Sequence, residues 1–429
     1  MVQSRNEAKL AQKQTKAADD ARDQADGLIN FMLHDLRDKL RPIGRLDALD
    51  DVAKKEKEYL DRLPKELITP SRLRQQAGLL NSLGDVLVDQ GKLPEALDVY
   101  QQSLTIAKHL IEQDKSNSAW QRDLAMSYEK VGEVLTAQRK LAEALDACQQ
   151  GLAVAKRLAE QDKSNSAWQR DLASSYIKVG VVLWHQGKLA EALSACQQGL
   201  VIAKRLVEQD KTNIGWQQDL SGNYSWVGDV LEAQGKLPEA LDAYQQSLAI
   251  AKGLAEQDRS NSEWQSMLAV SYQLVGEVLE AQGGLAEALD VYQQSLKIRQ
   301  VLAEQDKTNN RWQRDLAMSY DRVGEVLEAQ GKLPEALEAY RDYFDISDML
   351  ASRDPSNATW QNGAAWSRYC IANVLLRIKD GDRNEARRLV AEGIEIMKRV
   401  GRHTELETAK EVLNKLNELA NALASPSTE

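Results

Sequence analysis

Phenylalanine, proline, cysteine and histidine are all scarce in this 429-residue chain, at 2 Phe, 8 Pro, 3 Cys and 4 His. So little proline leaves long stretches without a helix breaker. Ala, Leu, Gln, Glu and Lys fill those stretches, and these are residues that helices favour. The cysteines, Cys148, Cys196 and Cys370, cannot all pair within one chain, which points to a reducing compartment. His34, His109, His185 and His403 are too scattered for a ligand set or a Ser/His/Asp site. The chain holds no G-x-G-x-x-G, no G-x-x-x-x-G-K-[ST], no H-E-x-x-H and no cysteine pair at zinc spacing. The expectation is therefore no enzyme, no cofactor and no metal.

Basic excess is missing as well. A formal charge of −10 and a pI near 5.2 argue against nucleic acid, whose phosphate contacts need a basic face, and equally against an anionic membrane surface, so neither is an expected partner. No apolar run approaches the roughly 20 residues of a membrane span, and the opening MVQSRNEAKLAQ lacks the apolar stretch of a signal peptide. A cytoplasmic location is expected. The length exceeds the roughly 250–300 residues at which one compact core stops growing, so the chain is either several domains or an open-ended array.

What is present decides for the array. Trp120, Trp168, Trp216, Trp264, Trp312 and Trp360 recur every 48 residues, and the surrounding text recurs with them. Each unit reads as two helices. Leu124, Tyr128, Val131 and Leu135 fall on one helical face. After a turn, Leu141, Leu145, Cys148, Leu152 and Ala155 repeat the rhythm, with Cys148 and Cys196 as small core residues. Ser118 with Gln121 has the form of a capping box. Gly91, Gly187, Gly235, Gly283 and Gly331 suit left-handed helix ends, and Pro94, Pro238 and Pro334 suit the first turn that follows. Arg139 takes the glycine's place in the second unit, which predicts a strained or differently shaped turn. The recurrent tryptophans are expected to pack between repeats.

The spacing of Gly132, Ala144 and Cys148 resembles the tetratricopeptide repeat (TPR) signature. Gly84/Ala96/Tyr100, Gly180/Ala192/Cys196, Gly228/Ala240/Tyr244, Gly276/Ala288/Tyr292 and Gly324/Ala336/Tyr340 keep it, and Ala372 and Ala386 mark a degenerate seventh unit with two extra residues. The resemblance implies an all-α, right-handed superhelical solenoid of antiparallel helix pairs over residues 71–400, about seven repeats. The usual unit is about 34 residues. The extra 14 here, close to four helical turns, predict helices of about 20 residues and 30 Å.

Residues 1–70 are expected to form a helical N-terminal segment, with Leu28, Phe31, Met32, Leu36 and Leu40 on one face covering the first repeat. Residues 401–423, with Leu406, Val412, Leu413, Leu416 and Leu419, predict a capping helix, and 424–429 a tail. The N-terminal segment is similar to the one that precedes long TPR arrays in large bacterial signalling proteins.

In that family the first helix of each unit lines a concave groove that holds protein or peptide. Carried onto this chain, the groove positions lie three before and one, four and five after each signature glycine. The first two units place Asp85, Asp89, Glu129 and Glu133 there, and the third places Ile177, Val181, Trp184 and His185. The next units place Ser225, Asp229 and Glu232, then Gln273, Glu277 and Glu280, then Asp321, Glu325 and Glu328. Most are acidic, which suits a basic partner. The third unit is apolar, and Trp226 of the next lies near the same face. Trp184 and Trp226 stand outside the 48-residue comb, so the resemblance makes them aromatic anchors, with packing against their own neighbours as the alternative. Glu129, Glu133, Asp321 and Glu325 occupy positions where chaperone-tail binders carry Lys and Asn, and Asn373 alone matches. Chaperone tails are not expected partners. The function implied is a binding scaffold, or alternatively a sensor or oligomerisation arm of a larger bacterial signalling protein. Near-identical repeats also permit self-association.

Overall fold

The computed structural model describes Gln24, Lys55, Glu58 and residues 69–355, 357–400 and 407–424. The expectations for the N-terminal segment with its Leu28–Leu40 face, for Leu406 and for residues 425–429 of the tail lie outside these, and Ala424 belongs to the last helix. The described residues 69–424 form fifteen helices. They are α1 (Pro70–Asp89), α2 (Leu93–Gln113), α3 (Ser118–Ala137), α4 (Leu141–Gln161), α5 (Ser166–His185), α6 (Leu189–Gln209) and α7 (Ile214–Ala233). Then follow α8 (Leu237–Gln257), α9 (Ser262–Ala281), α10 (Leu285–Gln305), α11 (Asn310–Ala329), α12 (Leu333–Arg353), α13 (Ala358–Arg377), α14 (Arg383–Val400) and α15 (Glu407–Ala424).

From α1 to α13 every helix is 20 or 21 residues long, about 30 Å, as the 48-residue period requires. The chain divides into two compact units inside the fourth repeat, at Gln234/Gly235. In each unit every helix packs against the next in sequence. No helix among the described residues is long and apolar enough to cross a membrane.

The same local chemistry builds each repeat. The helix start is shifted by one residue from the expected capping box. Asn117, not Ser118, is the N-cap, and its Oδ1 accepts the N–H of Trp120 at 3.1 Å. An asparagine caps the first helix in the same way ahead of Trp168, Trp216, Trp264, Trp312 and Trp360. Gln121 turns back to donate to the Lys115 carbonyl instead of closing a box.

The turns at Gly91, Arg139, Gly187, Gly283 and Gly331 close as Schellman motifs. In one, Gly187 N–H donates to Trp184 O at 2.9 Å and Lys188 N–H to Leu183 O at 2.9 Å, with Gly187 at φ +73°. Arg139 adopts φ +61° and makes the same two bonds. That turn therefore keeps its shape and carries the left-handed cost of a side chain.

The signature glycines are small because the partner helix is close. A Cβ on Gly84, Gly276 or Gly324 would overlap the ring of Tyr100, Tyr292 or Tyr340, and one on Gly132 or Gly180 would overlap Cys148 or Cys196 Sγ. The three cysteines are free and buried, and burial pushes the Cys148 and Cys196 thiols up to about 12.

Successive repeats are tied side chain to backbone. Gln138, Gln186 and Gln234 in the first unit donate to the carbonyls of Leu93, Leu141 and Leu189, and Gln330 in the second donates to Leu285. Each such bond is worth about 1 kcal/mol. The tryptophans of the comb are half-buried: Trp168 and Trp216 pack on Ala155, Ala159, Leu172 and Ile202, and Trp264 on Ala251, Ala255 and Leu268. At the far end of the second unit, α15 buries Val412, Leu416, Leu419 and Leu423 against α13 and α14.

Candidate functional site

The predicted groove residues stand on the first helices of the repeats, and most of the acids meet a partner there. In the first unit Asp85 accepts from Tyr100 Oη at 2.6 Å and pairs with Lys130 at 2.7 Å. Glu133 pairs with Lys178. Glu129 accepts from Ser175 Oγ, and burial pushes its carboxyl up to about 7. Lys130 and Lys178 each reach back one repeat, forming rungs between neighbouring first helices. At the next rung the pattern breaks: Trp226 stands in the lysine's place and Val181 in the acid's.

Trp226 meets Trp184 edge to face, with ring centroids 6.4 Å apart, and Trp184 lies 4.8 Å from the His185 ring. His185 is held near the Arg139 guanidinium, and burial together with that charge lowers its basicity. Ile177 is buried, whereas Val181, Trp184, Trp226, Asp229 and Glu232 are half-buried. The structure thus brings the third-unit residues and Trp226 together.

In the second unit Glu277 lies 3.6 Å from Arg322, which also holds Glu325 at 2.8 Å, and Gln273 donates to Glu277. Glu280 accepts from Tyr292 Oη at 3.0 Å. Glu328 accepts from Tyr340 Oη, from Asn373 Nδ2 and from Arg377, so the one asparagine at a chaperone-tail position is engaged. Asp321 differs. Its Oδ1 is sealed from solvent with no hydrogen-bond donor, and burial, with Glu325 alongside, pushes the carboxyl up to about 7.

Sequence reasoning missed a cleft of about 600 Å³ between α5 and α7, backed by α6. Its apolar lining includes Ile177, Ala203, Leu206, Trp216 and Trp226, and its mouth carries Ser174 and Gly222. Two ion pairs border it, Arg122–Asp171 at 2.5 Å and Arg170–Asp219, and Arg74–Asp123 at 2.5 Å extends the ladder one repeat earlier, each pair bridging one repeat to the next.

The same lining recurs one repeat earlier, between α3 and α5. There Ala125, Met126, Glu129, Ala155, Leu158 and Trp168 enclose only about 50 Å³. The signal that could have exposed the larger cleft lies six residues before the signature glycine. Met126, Val270, Met318 and Trp366 occupy that position in four other repeats, while Gly78, Ser174 and Gly222 leave it nearly bare. Among the described residues no group of His, Cys, Asp or Glu is placed to hold a metal.

Sequence comparison matches the tetratricopeptide repeat family over residues 77–114, 124–162 and 172–210 with one form of the repeat, and over 219–300 with a second. No curated protein matches. Among solved structures, the apo form of RapI is similar at 14% identity and a TM-score of 0.53, covering 92% of this chain and 98% of that one. A signal-transduction ATPase with numerous domains from Pyrococcus horikoshii, which carries a tetratricopeptide repeat sensor, is similar at 12% identity and a TM-score of 0.52. It covers 88% of this chain, which matches 50% of its length. At such identities the likeness is one of fold. Repeat spacing, glycine–tyrosine contacts, consecutive helix packing and family matches agree: the chain is a tetratricopeptide repeat protein with extended 48-residue repeats.

Proposed function

We propose that the chain is a non-enzymatic scaffold that binds protein or peptide along the first helices of its repeats. The observation that carries this reading is the break at Ile177, Val181, Trp184 and Trp226. These four apolar residues cluster, three of them half-exposed, on a face where sister repeats carry Lys130–Asp85 and Lys178–Glu133 pairs. Tetratricopeptide repeat proteins bind proteins or peptides, and an aromatic cluster amid charge is the usual composition of a binding hot spot.

In the second unit Glu277, Glu280, Glu325 and Glu328 outnumber the cations Arg322 and Arg377 that face them, which favours a basic segment there. Buried free thiols fit a reducing, cytoplasmic setting. The test is affinity capture from source-organism lysate with wild type and Trp184→Ala, at low salt and at about 0.5 M salt, where the Debye length is under 5 Å. A specific partner lost with Trp184→Ala supports the scaffold. Capture that Trp184→Ala leaves unchanged removes the anchor.

A second reading draws on the Pyrococcus horikoshii protein, whose similar array is a sensor within a longer chain. On that reading this array is the sensor or oligomerisation arm of a bacterial signalling protein. Recovery of the chain alone, as a concentration-dependent oligomer in light scattering, would favour it.

A further inference from the structure

We infer that the cleft between α5 and α7 receives one bulky uncharged side chain, aliphatic or aromatic, from a bound peptide. The inference rests on the peptide-binding reading above and names the chemistry that this part of the groove selects. Its basis is an internal control. The cleft and its counterpart between α3 and α5 are built from equivalent residues one repeat apart, yet one encloses about 600 Å³ and the other about 50 Å³.

Four departures from the repeat account for the difference. Met126 becomes Ser174, Glu129 becomes Ile177, Ser174 becomes Gly222 and Lys178 becomes Trp226. Two of these remove bulk from the mouth, and two replace charged side chains on the wall with apolar ones. The result is a hollow whose wall carries Ile177, Leu206, Trp216 and Trp226, with one buried polar atom beside them, the Asn223 Oδ1, which accepts no hydrogen bond.

Charge defines the occupant further. Arg122, Asp171, Arg170 and Asp219 at the rim are already matched to one another, and Lys178 is matched to Glu133. A charged guest would gain no unpaired counter-charge from these groups, and it would lose its hydration against Trp216, Trp226, Ile177 and Leu206. An apolar guest gains the transfer of its surface from water. Burying a Leu-sized or larger side chain is worth a factor of about 10–100 in affinity.

The structure also offers a plug. A Cβ on Gly222 meets nothing within 4 Å, and both Gly222 and Ser174 are exposed on helix faces. Gly222→Met, the side chain that α3 and α11 carry at this position, would fill the mouth without disturbing the core. It would also relieve the helix of a glycine.

The experiment selects short random peptides displayed on phage against the full chain, then measures the winners by fluorescence anisotropy against wild type, Gly222→Met and Ser174→Met. The expected winners share a Leu, Ile, Met, Phe or Trp whose replacement by Ala weakens binding about 10–100-fold. Gly222→Met weakens the parent peptide by a similar factor and the Ala peptide little, while thermal melting by circular dichroism is unchanged or raised. Ser174→Met repeats the measurement should Gly222→Met misfold. Peptides that bind both variants as tightly as wild type would overturn the cleft and leave the groove reading standing. Selection of no peptide at all would overturn both.

Discussion

Between α5 and α7 the first unit leaves an open cleft, whereas in the second unit the buried side chain of Arg299 stands in the same register between α9 and α11, with Val270 and Met318 exposed at the positions of Ser174 and Gly222. Arg299 stands where Ala107, Ala155, Ala203 and Ala251 stand in other repeats. Its buried guanidinium donates to Asp315 O at 3.0 Å, Ser319 Oγ at 2.9 Å and Gln273 Oε1 at 2.8 Å. One repeat on, Trp366 occupies the mouth position, stacked on Tyr369 with Lys415 of α15 over both rings.

At these two joints the helices, turns and N-caps are equivalent, so the backbone frame does not distinguish them. Side-chain volume at three positions does, one in the second helix and two in flanking first helices. A repeat array of this kind can acquire a site by deleting atoms from a standard joint.

Reversing the comparison gives the largest expected effect on stability. Arg299→Ala would remove the guanidinium from that joint and with it the donor to Gln273 Oε1 and Ser319 Oγ, while the Asp315 carbonyl keeps the Ser319 hydroxyl. A loss of about 2–4 kcal/mol is expected in chemical denaturation. A neutral result would mean that the guanidinium's desolvation cancels its hydrogen bonds.

Next comes the buried acid of the second unit. Asp321 has a folded-state carboxyl raised to about 7, against about 4 when exposed. The folded state therefore holds the proton more tightly than the unfolded state. The stability this contributes is full below about pH 4, falls as pH climbs towards 7 and stays lost above that. Arg322 moderates the effect and Glu325 adds to it. Asp321→Asn should flatten this decline and exceed wild type by about 1–3 kcal/mol at pH 8. A residual slope of the same sign should remain from Glu129 in the first unit, which Glu129→Gln removes. Denaturation curves from pH 4 to 8 check both.

A smaller effect is expected in the turn of the second repeat. Arg139→Gly keeps the left-handed geometry and removes its steric cost, raising stability by about 1 kcal/mol. An unchanged melting midpoint would imply that the Arg139 contact with His185 offsets the strain. The smallest change belongs to the ladder of the first unit. Arg170→Ala removes one half-exposed rung and should cost about 0.2–1 kcal/mol, shrinking further in high salt.

The helix pairs, their lengths and the left-handed turns were legible because each rests on residues adjacent in the chain. A glycine after the last helical turn and a 48-residue period both act locally. The N-cap was misread by one residue because S-x-x-Q matches the box, whereas Asn117 Oδ1 is the group that reaches Trp120 N–H. The acidic stripe was visible as composition. Its pairing was not, because the partners of Asp85, Glu133 and Glu328 lie 45–49 residues away on neighbouring helices. Trp184 and Trp226 were legible as departures from the repeat, but their edge-to-face contact was not.

The sequence by itself determined the all-helical repeat, since periodic apolar faces and recurrent turn residues admit no other pairing of local structure. It also determined the close approach of the helices within each repeat, through glycines that leave no room for a Cβ. Only the tertiary structure decided which charges remain available and where space is left. An ion pair depends on two side chains meeting across a packed joint, and a cavity on what several helices jointly fail to fill. Neither is a property of any single stretch of chain.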